Sequence, residues 1–107
     1  MSGTYFRASG KVRLDASGNG QVTISMPGAP VTIDHTVITV TTNAAEPTFE
    51  LYVDSVSAPN LRDSSYSGSG DTSDTVHPLQ AGQSLIGVWA GGDPGATATM
   101  NLSGTAG

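Results

Sequence analysis

Apolar residues fall at every second position through most of this chain. From Ala96 to Ser103, Ala96, Ala98, Met100 and Leu102 alternate with Thr97, Thr99, Asn101 and Ser103, the period of a strand with one dry and one wet face. The same period runs through Thr4 to Leu14 (Phe6, Ala8, Val12 and Leu14 in phase) and Gln21 to Met26 (Val22, Ile24 and Met26 inward). Thr48 to Asp54 follows it too, with Phe49, Leu51 and Val53 inward and Thr48, Glu50 and Tyr52 outward. Ser84 to Ala90 departs from the rule: Leu85 and Trp89 lie on one face, Ile86 and Val88 on the other, as in a strand covered on both sides. A two-layer sandwich buries only one face of a strand, so something else must cover Ile86 and Val88. A neighbouring copy or subunit is the expectation, ahead of a folded-back segment of the chain.

Turn residues punctuate these runs. Asp15-Ala-Ser-Gly-Asn-Gly and Gly91-Gly-Asp-Pro-Gly supply the positive and fixed φ values that reverse a chain, and their flanking strands read as two β-hairpins. Pro27-Gly-Ala-Pro ends the second strand, because proline cannot donate to a ladder. In the long strand from Val31 to Thr42 the apolar phase inverts, odd at Val31 and Ile33 but even at Ile38 and Val40. That predicts a bulge or corner near Asp34-His35 through which one strand serves two sheets. Ser57 to Asp74, rich in Pro, Asn, Ser, Gly and Asp, is the longest irregular stretch. Thr72 to His77 reads as a short strand, and Leu79 to Leu85 as a turn crossing between sheets.

About eight strands result, and the fold class is all-β: one antiparallel β-sandwich domain over residues 1–107, jelly-roll or immunoglobulin-like. The expected core is Phe6, Val12, Leu14, Val22, Ile24, Ile33, Ile38, Val40, Phe49, Leu51, Val53, Leu85, Val88, Trp89, Met100 and Leu102.

Composition agrees: 107 residues with 36% hydrophobic and 12% charged side chains, 14 Gly, one Lys and two Glu leave little material for helices. A net charge of −5 with four Lys and Arg argues against nucleic acid as a partner. Three of those cations, Arg7, Lys11 and Arg13, alternate with the apolar residues of the first strand. They read as a solvated, charge-guarded edge, with an anion or acidic-partner site as the competing reading, and either way Arg7 and Arg13 face outward. Without cysteine there is no disulfide, thiol nucleophile or zinc cluster. No run reaches the roughly 18 apolar residues of a membrane helix, and the first residues lack a signal-peptide core, so synthesis in soluble form inside a cell is expected.

Candidate chemistry is sparse. His35 and His77 are far apart in the chain with no third ligand at fixed spacing, and read as structural. Asp71 and Asp74, with Asp63 nearby, offer the hard oxygens calcium prefers, but without EF-hand spacing they read as turn caps. No Gly-x-Ser-x-Gly elbow occurs, so no catalytic residue, cofactor or metal site is expected. Trp89, the only tryptophan, belongs to the core. Tyr52 and Tyr66 are the aromatic surface contacts, with Arg62 and Asp63 of the polar loop and Ile86 and Val88 completing the candidate interaction residues; a glycan resting on Tyr52 and Tyr66 is the alternative ligand.

The runs Ala45-Glu-Pro-Thr-Phe-Glu-Leu-Tyr, Ser57-Ala-Pro-Asn-Leu-Arg-Asp, Leu79-Gln-Ala-Gly-Gln-Ser-Leu and Val88-Trp-Ala-Gly-Gly-Asp-Pro-Gly-Ala-Thr, in this order and spacing, resemble small virion proteins of tailed phages of actinobacteria. The resemblance covers about Gly18 to Gly104 and leaves the first strand outside. It implies a β-sandwich on the exterior of a phage particle, as a capsid decoration protein contacting the major capsid protein or other virion proteins, or as a tail or fibre module. It brings no catalytic residues with it, and the homo-oligomer or lattice contacts expected from the two apolar faces of Ser84 to Ala90 fit such a particle.

Overall fold

The computed structural model describes residues 4–42, 44–64 and 70–107. Its strands are β1 (Thr4–Arg13), β2 (Gly20–Ser25), β3 (Val31–Val40), β4 (Thr48–Val53), β5 (Leu61–Asp63), β6 (Gly70–Ser73), β7 (His77–Leu79), β8 (Ser84–Ala90) and β9 (Thr97–Ala106). One sheet has the order β1-β9-β3-β6, with β7 also pairing β3; the other has the order β2-β8-β4-β5. The helical content among the described residues is one 3₁₀ turn, Ala58–Asn60. The antiparallel pairs β1–β9, β2–β8, β3–β6/β7 and β4–β5 nest inside one another. A single long ribbon has been rolled into two layers, which makes the sandwich a jelly roll rather than an immunoglobulin fold.

The two expected hairpins are corrected by this pairing. β1 and β2 lie in opposite sheets, and so do β8 and β9. Their connections reverse the chain as the turn residues dictate, but carry it across the sandwich, because the two loops bond to each other. Gly92 N–H donates to Gly18 O (2.9 Å), Leu14 N–H to Ala96 O (2.8 Å) and Gly95 N–H to Leu14 O (2.9 Å). Asn19 Oδ1 accepts from Gly91 N–H at 3.1 Å, while Asp15 Oδ1 caps its own turn by accepting from Ser17 and Asn19 N–H. Gly18 has φ +76°, and a Cβ there would stand 1.9 Å from Gly92 O.

The predicted bulge is present, between Ile33 and His35, but β3 does not turn into the second sheet. It stays beside β9, and on its other side its partner changes from β7, with Ile33 opposite His77, to β6, with Thr36 opposite Ser73. The expected strand from Thr72 to His77 is accordingly broken: β6 ends at Ser73 and β7 begins at His77. The Ser57 to Asp74 stretch is less irregular than its composition suggests, since it holds the 3₁₀ turn, β5 and all of β6.

Between the sheets lie Leu14, Val22, Ile24, Ile33, Ile38, Phe49, Leu51, Val53, Leu85, Trp89, Met100 and Leu102, as expected; Met26, Val31, Leu79, Ala96 and Ala98 join them. Phe49 and Trp89 meet with ring centroids 4.8 Å apart and planes tilted by 60°, an arrangement that adds to simple area burial. Phe6, Val12 and Val40 are only partly buried against this cluster. Val88 is outside it: β8 turns Val88 to the outer side, where it is half-buried.

The loop contact makes a distinct prediction. Gly18→Ala and Gly82→Ala both place a side chain at positive φ (+76° and +78°), but nothing lies within 4 Å of the added atom at Gly82. Gly82→Ala is expected to cost about 1 kcal/mol, and Gly18→Ala about 3 kcal/mol or more because Gly92 must also move. Urea midpoints for the two variants check the difference.

Candidate functional site

Three of the six candidate interaction residues, Tyr52, Ile86 and Val88, gather on the outer side of the four-stranded sheet. Tyr52 stands opposite Ile86 on one side and Leu61 on the other, and Glu50 stands opposite Val88. These neighbours leave Ile86 6% and Tyr52 9% exposed, so the chain itself covers much of this face. The Tyr52 hydroxyl donates to Glu50 Oε1 at 2.8 Å, and this bond, assisted by burial and the carboxylate charge, raises the phenol pKa. Tyr52 therefore faces outward, as its phase predicts, without presenting an open ring. Half-buried Val88 and exposed Leu61 are apolar groups that reach solvent on this face. Arg62 is exposed, its guanidinium 3.4 Å from Pro59 O, and Asp63 is half-buried at the sheet edge opposite Leu51. Tyr66 lies outside the described residues.

The histidines occupy opposite environments. His77 is 4% exposed, and its Nε2 has no hydrogen-bond partner among the described residues. Burial holds its imidazole below the usual histidine range; Asp63's charge opposes this shift and Arg62's reinforces it. His35 lies on the outer side of the other sheet, with Nδ1 2.7 Å from Asp74 Oδ1. The acidic residues weighed for calcium are occupied locally, Asp74 by His35 and Asp71 Oδ1 by Thr72 N–H at 2.8 Å. Among the described residues no group of three or more His, Cys, Asp or Glu could hold a metal ion. Two other carboxylates act as clamps. Asp93 accepts from Ala44 and Ala45 N–H, both at 2.8 Å, and Asp54 from Ser84 N–H and Gln83 Nε2. Bonds from backbone amides, aided by side-chain donors, hold both carboxyls below the usual range.

The five-stranded sheet's outer side carries a second constellation, which sequence reading alone did not assemble. Arg7 pairs with Ser103 and Ser103 with His35, so these three share one row across β1, β9 and β3. Ser9, Asn101 and Val37 form the next row, and Tyr5, 70% exposed, stands two residues before Arg7 on the same side of β1. Tyr5, Arg7, His35, Val37, Asn101, Leu102 and Ser103 line a depression of about 340 Å³, and Arg7, Ala8, Ser9, Asn101 and Leu102 line one of about 250 Å³ beside it. The signal available in sequence was the phase inversion at Asp34-His35. The bulge it marks leaves Thr36 and Ile38 inward and places His35 opposite Ser103.

Neither a family model nor a curated protein matches the chain. Among solved structures, a chain of the acid-stable capsid of the Helicobacter pylori bacteriophage KHP30 is similar in fold, with a TM-score of 0.65 at 10% identity. The match covers 96% of this chain and 88% of that one. The shared feature is the β-sandwich itself.

The buried imidazole and the clamped carboxylates make stability dependent on pH. A folded-state pKa below the ordinary value of 6.5 means that the unfolded chain takes up a proton first as the pH falls. The contribution of His77 is complete above that value and is lost as the pH drops through the folded-state pKa. Urea midpoints should therefore decline from about pH 7.5 to about pH 4.5 in the native chain and decline less in His77→Leu, whereas Asp54 and Asp93 add a further loss below the ordinary aspartate value of 3.8 in both.

Proposed function

We propose that this chain is a structural protein of a bacteriophage virion, and specifically a capsid decoration protein seated on the major capsid protein lattice. The observation that carries the reading is the jelly-roll fold, shared over 96% of the chain with a phage capsid chain. The virion-protein resemblance of the sequence points the same way. The outer side of the four-stranded sheet is the docking surface, where Val88 and Leu61 supply apolar contact and Arg62 a charged rim. Copies meet one another or the lattice there, the particle is the protein's location, and it catalyses no reaction. A tail or fibre module is the second reading; the glycan platform it invoked loses one member in Tyr52, whose ring is buried.

Mass spectrometry of purified virions is expected to find the chain in many copies per particle, and labelled particles should carry it over the capsid surface. Absence from mature particles overturns the virion reading, and labelling confined to the tail overturns decoration. Val88→Asp should fold as the native chain does, by circular dichroism and urea titration, yet fail to enter particles. Ile86→Asp should lose stability by about 3 kcal/mol or more, because it buries an unpaired charge.

A further inference from the structure

We infer that the outer side of the five-stranded sheet binds an acidic oligosaccharide, with Arg7 receiving the carboxylate and Tyr5 the apolar side of a sugar ring. Several observations lead there. Arg7 is exposed and has no ion-pair partner among the described residues, in a chain with a net charge of −5. An unpaired guanidinium above a floor of neutral polar groups is a receiver for a carboxylate, which it grips through two parallel N–H bonds. His35 is held in place: a carboxylate only accepts, so Nδ1–H donates to Asp74 Oδ1 and Nε2 remains for a ligand hydroxyl. Strands stand about 4.8 Å apart, which sets the Arg7 and His35 backbones about 10 Å apart across Ser103, the span of a sugar ring with its substituents.

Asn101 and Ser103 add side chains that both donate and accept, as hydroxyl recognition requires, and Tyr5 at 70% exposure offers a ring for C–H contact. The depressions of about 340 and 250 Å³ share Arg7, Asn101 and Leu102, so the ligand is a chain of at least two rings with its acidic group at the shared cation. Lys11 and Arg13 continue the positive stripe along the same side of β1. A simple anion would leave Tyr5, Asn101 and His35 without a role, and a neutral glycan would leave Arg7 without one. This site lies on the sheet opposite the proposed docking surface and does not depend on that proposal.

The test is an NMR titration of the ¹⁵N-labelled chain with a hyaluronan tetrasaccharide, with neutral chitotetraose, with a short single-stranded oligonucleotide and with inorganic phosphate. The hyaluronan probe is expected to shift the amides of Tyr5, Arg7, His35, Asn101 and Ser103 selectively. Arg7→Ala should weaken its binding about tenfold or more and Arg7→Lys less, while Tyr5→Ala and His35→Ala each weaken it severalfold with the urea midpoint preserved. Equal binding of chitotetraose, tighter binding of the oligonucleotide, response to phosphate only, or hyaluronan binding untouched by Arg7→Ala and Tyr5→Ala would each overturn the proposal, as would no binding of any probe. Virion incorporation of Arg7→Ala is expected to be normal, which separates this site from the docking surface.

Discussion

The contact on which the architecture rests is the meeting of two backbones at Gly18 and Gly92. Where the chain crosses between layers after β1 and again after β8, the loops lie so close that a methyl group cannot fit between them. Peptide groups that a hairpin would pair along its own ladder are instead satisfied from the other loop. Leu14, between β1 and the first crossing, exchanges bonds with Ala96 and Gly95 while its side chain enters the core, so closure of this end and alignment of β1 with β9 are one event. Asp93 ties the same region to Ala44 and Ala45 in the connection before β4, and Asp54 ties the end of β4 to β8.

Much of this could be read from the sequence, because inside and outside alternate with a period that the side chains record directly. β1, β2, β4, β8 and β9 begin and end within a few residues of their expected bounds, and the bulge at Asp34-His35 announces itself as a change of phase. Pairing was not legible. Gly, Asn, Asp and Pro specify that a chain reverses, but a reversal across the sandwich and one within a sheet use the same residues, so both expected hairpins were assigned the wrong partner. Leu79 was missed because a Gly-containing turn follows it. The Arg7–Ser103–His35 row was invisible for a related reason: it assembles residues from both ends and the middle of the chain through register alone.

The charge distribution gains meaning from this topology. Three of the chain's four Lys and Arg residues stand on one edge strand, β1, which presents its positive side on the polar sheet. The other sheet turns out Val88 and Leu61 beside the closed Tyr52–Ile86 pair. The two broad surfaces therefore differ in chemistry, and a copy seated by the apolar one would hold the basic one away from its support.

The nested pairing also orders events in time. β8 and β9, made last among the strands, are interior members of their sheets: β8 separates β2 from β4, and β9 separates β1 from β3. While residues 84–106 are still within the ribosome, β1 and β2 have no partner strand, and neither layer can be completed. Neither sheet can therefore be completed until β9 has been synthesised, and a nascent copy lacks both of its finished outer faces until then.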